Sequence, residues 1–174
     1  MGENKNIHIL FSDDDPDDAL LFTRAVDILD RPVLLSFAED GRQLLKFLDK
    51  QTLPDLVFLD LNMPFKSGLE CLKEIRESKK FDNLPIVVYT TSKNPEDINN
   101  CYKLGANLYV VKPFAFEDII KSVKKILSLN LPEQPSIPDR NDFKWLRNVL
   151  VLRSFAESFA FRTTIIDRPA SCRK

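Results

Sequence analysis

Five short apolar runs, at residues 7–11, 33–37, 56–59, 86–89 and 108–111, restrict this chain more than any other feature. Each is nearly continuous. A strand with one wet face alternates apolar and polar residues, so uninterrupted runs of four or five suit strands covered on both faces of a parallel sheet. Between them the period changes. Ala19, Phe22, Val26 and Leu29 recur at three- and four-residue steps, as do Leu44 and Leu48, and Leu69, Leu72 and Ile75. Ile98, Cys101 and Tyr102 mark a weaker stripe, with Gly105 where a left-handed helix cap would sit. Phe116, Ile119, Ile120, Val123, Ile126 and Leu127 form the clearest one. Strand and helix therefore alternate five times. The expected fold is α/β: a five-stranded parallel, doubly wound, flavodoxin-like sheet built on right-handed crossovers.

Composition agrees with a folded core: 44% of the 174 residues are hydrophobic, and charged residues nearly cancel to a net −1. Residues 1–130 carry a net −4 and residues 131–174 a net +3. The basic residues of the second part are scattered, so nucleic-acid binding is not expected. Cys71, Cys101 and Cys172 lack metal-ligand spacing, which favours a reducing compartment. No signal peptide is read at the start, and no run reaches the ~18 apolar residues of a membrane span. A cytoplasmic protein without membrane contact is expected.

In such sheets, chemistry sits at the carboxyl ends of the strands, near the switch in strand order. Asp13, Asp14 and Asp15 follow the first run, and Asp60 follows the third within Leu-Asp-Leu-Asn-Met-Pro. Thr90, Thr91 and Ser92 follow the fourth, and Lys112-Pro113 the fifth. Clustered carboxylates repel unless a cation neutralises them. Oxygen donors without His or Cys select a hard ion such as Mg2+. A carboxylate-held metal beside a lysine and a hydroxyl suits phosphoryl transfer, with an aspartate able to serve as nucleophile.

These residues resemble the response-regulator receiver domain, of the single-domain chemotaxis-regulator kind. The matches are Asp13-Asp14, Asp60, Thr90 and Lys112-Pro113, over residues 5–129. The segments around Asp14, Gly68 and Thr91 are similar to small receivers paired with phytochrome-type sensor kinases. The resemblance implies that Asp60 is the phosphoacceptor and that Asp13, Asp14, Asp60 and the backbone carbonyl of Asn62 hold Mg2+. It implies that Thr90 and Lys112 bind the phosphoryl group, and that Thr90 and Tyr109 act as a switch. A cis peptide between Lys112 and Pro113 is implied too. The implied role is a stand-alone response regulator of a phosphorelay, not an enzyme. Its partners would be a sensor histidine kinase or histidine phosphotransfer protein and a downstream protein, with a homodimer as a further expectation.

Competing readings stand beside these. Register favours Asp13-Asp14 as the acid pair, because a small Ser12 then ends the strand, but Asp14-Asp15 fits the same string. The three acids could be a helix cap, and Tyr109 a packed ring with a fixed partner. A phosphorylation-independent interaction module is the alternative function. A phosphohydrolase would want an acid two residues after Asp60, where Asn62 stands. Residues 130–142 hold Pro132, Pro135 and Pro138 and read as a linker. Residues 143–174 read as an extension, with Trp145, Val149, Leu152, Ala156 and Phe159 on one helical face before a frayed end.

Overall fold

All five apolar runs become parallel strands of one sheet in a computed structural model, which describes residues 6–50, 52–129, 131, 143–146 and 149–152. The strands are β1 (Ile7–Ser12), β2 (Val33–Ala38), β3 (Leu56–Leu59), β4 (Ile86–Thr90) and β5 (Leu108–Val111). The helices are α1 (Pro16–Asp27), α2 (Gly41–Leu48), α3 (Gly68–Glu77), α4 (Pro95–Lys103) and α5 (Phe116–Ser128). The parallel strands lie in the order β2-β1-β3-β4-β5. The order reverses at β1, where Ile9 pairs with Leu35 on one side and with Leu56 on the other. The carboxyl ends of β1 and β3 thus meet at the switch point of the sheet.

Alternation along the strands splits the core in two. Val57 and Leu59 of β3 face one side, with Leu44, Leu48, Leu72, Ile75 and Cys101 from α2, α3 and α4. Leu56 and Phe58 face the other, with Phe22, Val26, Ile119 and Val123 from α1 and α5. On that second side Phe11 stacks on Phe22 with centroids 4.3 Å apart, and Phe22 meets Phe58 edge-on at 4.7 Å. This aromatic cluster fixes α1 against β1 and β3. Gly105 adopts φ of 87°, the left-handed conformation expected of it, and its N–H bonds to the carbonyl of Tyr102.

Two expectations are corrected. The continuous run of β2 does not mark burial on both faces: β2 lies at the sheet edge, and Leu34 and Phe37 are exposed. Apolarity alone does not distinguish a central strand from an edge strand. The helix expected from residue 143 is replaced, over the described part, by β6 (Phe143–Leu146) and β7 (Val149–Leu152). These pair antiparallel, and β7 joins the edge of β5 with Tyr109 opposite Leu150. Segments of four residues fit either period, and the N–H and C=O groups along the β5 edge supply the pairing a strand needs. The remainder of the helical expectation, including Ala156 and Phe159, lies outside the described residues, as does the Pro-rich segment except Leu131. No helix among the described residues is long and apolar enough to cross a membrane.

Arg76 ties α3 to the amino ends of β4 and β5. Its guanidinium donates to the carbonyls of Gly105 (3.0 Å), Phe81 (3.1 Å) and Leu84 (3.0 Å), and to Asn107 Oδ1 (3.0 Å). Asn107 Oδ1 also accepts the N–H of Ile86 at 2.8 Å. Burial pulls the guanidinium down to about 10, so it is still charged at neutral pH. Removing it strands several acceptors at once. Arg76→Ala is expected to lower stability by about 2–4 kcal/mol, read as a lower urea midpoint with an unchanged denaturant slope.

Candidate functional site

Three backbone hydrogen bonds extend the parallel ladders just past the strands. The N–H of Asp13 donates to Ala38 O (2.9 Å), that of Asp60 to Ser12 O (2.9 Å), and that of Lys112 to Thr90 O (2.8 Å). Each chemistry-bearing residue is thereby pinned to the end of a neighbouring strand. Behind Asp60 the first turn of α3 approaches so closely that a Cβ on Gly68 would lie 1.9 Å from the Asp60 carbonyl oxygen. Only glycine fits there.

The register of the acids is now visible. β1 ends at Ser12, whose hydroxyl donates to Met63 Sδ at 3.2 Å. Asp13 is buried and Asp14 exposed, and together with Asp60 they bring carboxylate oxygens within 4.8 Å of one another. Asp15 instead caps α1, accepting the N–H of Asp17 at 2.9 Å. The alternative pair Asp14-Asp15 is therefore not the one the fold assembles.

Lys112, only 7% exposed, points into this cluster. Its Nζ lies 2.7 Å from Asp13 Oδ2, 2.7 Å from Asp18 Oδ2 and 3.2 Å from Asp60 Oδ2. The contacts to Asp18 and Asp60 are aligned hydrogen bonds. The contact to Asp13 is an ion pair without that alignment, and Asp13 Oδ2 is a buried oxygen left without a hydrogen bond. Asp60 Oδ1 accepts the N–H of Leu61 at 2.7 Å. Asp18 was not singled out by the sequence reading. Its signal was available: it is the third residue of the helix that follows the acid pair, on the same rim.

Burial and charge pull these groups in opposite directions. Burial pushes the Asp13 carboxyl up to about 6, outweighing the nearby Lys112 ammonium, which alone would lower it. Burial would lower Lys112, but the close carboxylates of Asp13, Asp18 and Asp60 push it above its ordinary value. The two directions are compatible, because one ammonium answers to three acids while Asp13 has only a share of it.

Four carboxylates beside one ammonium leave the rim strongly negative. The convergence of three acids and the oxygen-only donor set fit a hard divalent cation. Asp13, Asp14 and Asp60 could hold it. Asn62 is exposed in the loop after β3, within two residues of Asp60.

Thr90 is the buried last residue of β4. Tyr109 is fully buried in β5, and its hydroxyl donates to the Ser92 carbonyl at 3.1 Å, two residues beyond Thr90. Burial pushes that phenol up to about 12, so it stays protonated and remains a donor. The Lys112–Pro113 peptide is trans, as is every peptide among the described residues, so the expected cis bond is not present. Trans is lower in energy even before proline, by about 0.5–1 kcal/mol. His8, the internal histidine, contacts Ser36 Oγ through Nε2 at 2.9 Å in β1 and takes no part in the cluster.

The sequence profile of the response regulator receiver domain matches residues 9–124. The chain is 33% identical over 123 residues to the probable methanogenesis regulatory protein FilR2 of Methanothrix harundinacea, covering 68% of this chain and 79% of that protein. It is 37% identical over 100 residues to the response regulator Rcp1 of Synechocystis sp., covering 54% and 68%. The crystal structure of the Mn(2+)-bound form of Rcp1 superposes with a TM-score of 0.66 at 33% identity, covering 72% of this chain and 94% of that one. The phosphorylated cyanobacterial phytochrome response regulator RcpA superposes with a TM-score of 0.68 at 30% identity, covering 75% and 99%.

The raised Asp13 value has a definite sign. The folded state holds this proton more tightly than the unfolded chain, so burying Asp13 costs stability fully above about 6 and not at all below 3.8. In metal-free buffer at pH 7, Asp13→Asn is expected to be more stable than wild type by about 1 kcal/mol or more. That advantage should shrink as pH falls from about 6 towards 3.8, followed by urea denaturation at each pH.

Proposed function

The chain belongs to the response regulator receiver domain family, and from that membership we propose that Asp60 accepts a phosphoryl group from a phosphohistidine. Receiver domains are signalling modules of two-component systems rather than classical enzymes. They bind Mg2+ or Mn2+ at an acidic pocket, and they meet histidine kinases and downstream targets. In this chain the metal would be Mg2+, held by Asp13 and Asp14, an Asp60 oxygen and the backbone carbonyl of Asn62. The donor would be a sensor histidine kinase, of the phytochrome or another type, or a histidine phosphotransfer protein. The cytoplasm is the compartment where such donors would be met.

The transfer is a simple exchange of bonds. The P–N bond of the phosphohistidine breaks as a P–O bond forms to an Asp60 carboxylate oxygen, and the imidazole leaves with the electron pair and takes up a proton. When bound, Mg2+ would supply positive charge that offsets the repulsion between the carboxylates and a phosphoryl group. Lys112 gives up part of its contact with Asp60 and Asp13 and pairs with a phosphoryl oxygen. The Thr90 hydroxyl donates to another oxygen. Asn62 cannot donate or accept a proton at the position where an aspartate-nucleophile phosphohydrolase would carry its general acid, which favours a stored signal over turnover.

Thr90 and Tyr109 would pass the signal on. Drawing Thr90 towards the phosphoryl group pulls the start of the loop whose Ser92 carbonyl holds the Tyr109 hydroxyl. The readout is then a change on the face built by α4 and β5, recognised by a downstream protein. The observation that carries the reading is the shared ammonium: Lys112 lies within 3.2 Å of the buried Asp60 carboxylate, beside an acid cluster suited to a divalent cation.

With Mg2+ and a small phosphodonor such as phosphoramidate, intact mass is expected to rise by one phosphoryl group. Asp60→Asn should gain none, and chelation by EDTA should abolish labelling of the wild type. Absence of labelling, or equal labelling of Asp60→Asn, overturns the proposal.

A further inference from the structure

Lys112 makes its shortest aligned hydrogen bond to a residue outside the acid pair and the phosphoacceptor. Asp18 Oδ2 lies 2.7 Å from Nζ, against 3.2 Å for Asp60. We propose that Asp18 is a positioning residue that restrains Lys112 from the α1 side and thereby limits how much of the protein stays phosphorylated. This rests on the reading of Asp60 as phosphoacceptor.

Asp18 is not a mobile surface acid. It is the third residue of a helix begun by Pro16 and capped by Asp15, and the helix is locked to the core through Phe22, Ala25 and Val26. Its side chain is 30% exposed, so most of it is covered. Asp15 already supplies the helix cap, so Asp18 is not needed for that purpose.

The direction of its effect follows from charge. Phosphorylation replaces a singly charged carboxylate by an acyl phosphate with roughly one further negative charge. Lys112 is then worth more to the phosphoryl group than it was to Asp60. Asp18 opposes that gain twice: it keeps the ammonium bonded on the α1 side, and its own negative charge repels the phosphoryl group. A neutral side chain of the same shape removes the repulsion and weakens the bond to the ammonium. Water around the part-exposed Asp18 carboxylate screens the interaction, so added salt should weaken it.

The test compares wild type, Asp18→Asn and Asp18→Glu with phosphoramidate at saturating Mg2+, at low and high ionic strength. Phosphorylation and dephosphorylation rate constants are taken from intact mass. In Asp18→Asn the ratio of the two is expected to rise by about tenfold, the size of one charge-assisted hydrogen bond. The rise should shrink in high salt, and Asp18→Glu should return the ratio towards wild type. A readout free of metal and donor accompanies this. In EDTA, the Lys112 side-chain NMR signals should shift in Asp18→Asn and lie near their wild-type positions in Asp18→Glu. A purely structural role would move the melting temperature and leave the ratio and its salt dependence alone. A labelled wild type with an unchanged or lower ratio in Asp18→Asn overturns this inference alone. An unlabelled wild type overturns the phosphoacceptor reading, and this inference with it.

Discussion

The ammonium of Lys112 is the counter-charge on which the rim of this molecule depends. Asp13, Asp18 and Asp60 lie within 3.2 Å of it, and without it three acids would repel across a space with little water. The Lys112 backbone is fixed by its bond to the Thr90 carbonyl at the end of β4. The same ladder geometry holds Asp13 against β2 and Asp60 against β1. Buried strands thus convert sequence separation into contact: residues 13 and 60 meet because β1 and β3 end together at the switch point, and Lys112 reaches them from β5, two strands along from β3. The cluster tolerates this concentration of charge only with cations nearby, and one lysine does not balance it. The same imbalance fits the acidic, cation-binding pocket of receiver domains.

The surroundings of Asp60 are restrictive in a different way. Gly68 lets the amino end of α3 pass directly behind its carbonyl, and the N–H of Leu61 holds one carboxylate oxygen. The other oxygen faces Lys112. On the far side, the path from the site to the surface is short. Thr90 ends β4, Ser92 follows it, and the Ser92 carbonyl receives the hydroxyl of the buried Tyr109. Ser92 Oγ in turn donates to Asp97 of α4 at 2.5 Å. One loop therefore joins the rim, the core of β5 and the first turn of α4. β7 lies along the edge of the strand that carries Tyr109.

Much of this was legible in the residues. Continuous apolar runs marked all five parallel strands, and the three-four spacing marked the buried faces of the helices, down to Ile98, Cys101 and Tyr102 on α4. The small Ser12 at the end of β1 pointed to Asp13-Asp14 as the acid pair, and the geometry assembles that pair. Other features were not legible, each for a physical reason. The run of β2 looks like that of a central strand because its inward side is apolar and Leu34 and Phe37 add exposed apolar surface. The runs at 143–146 and 149–152 are too short to separate a period of two from a period of 3.6.

The sequence by itself determined which chemistry this protein can hold: acids, a lysine and a threonine, each placed directly after an apolar run that has to be buried. Local rules suffice for that, because apolar period and strand-end position are properties of neighbouring residues. Only the tertiary structure decided how the charges are shared. Asp18 is one acid among several at the start of a helix until α1 packs through Phe22 and Val26 and carries its carboxylate to Lys112, 94 residues away in the chain. That contact depends on the crossing of α1 over β1 and β3 and on the reach of β5 to the same rim. It is a property of three elements at once, and no single segment encodes it.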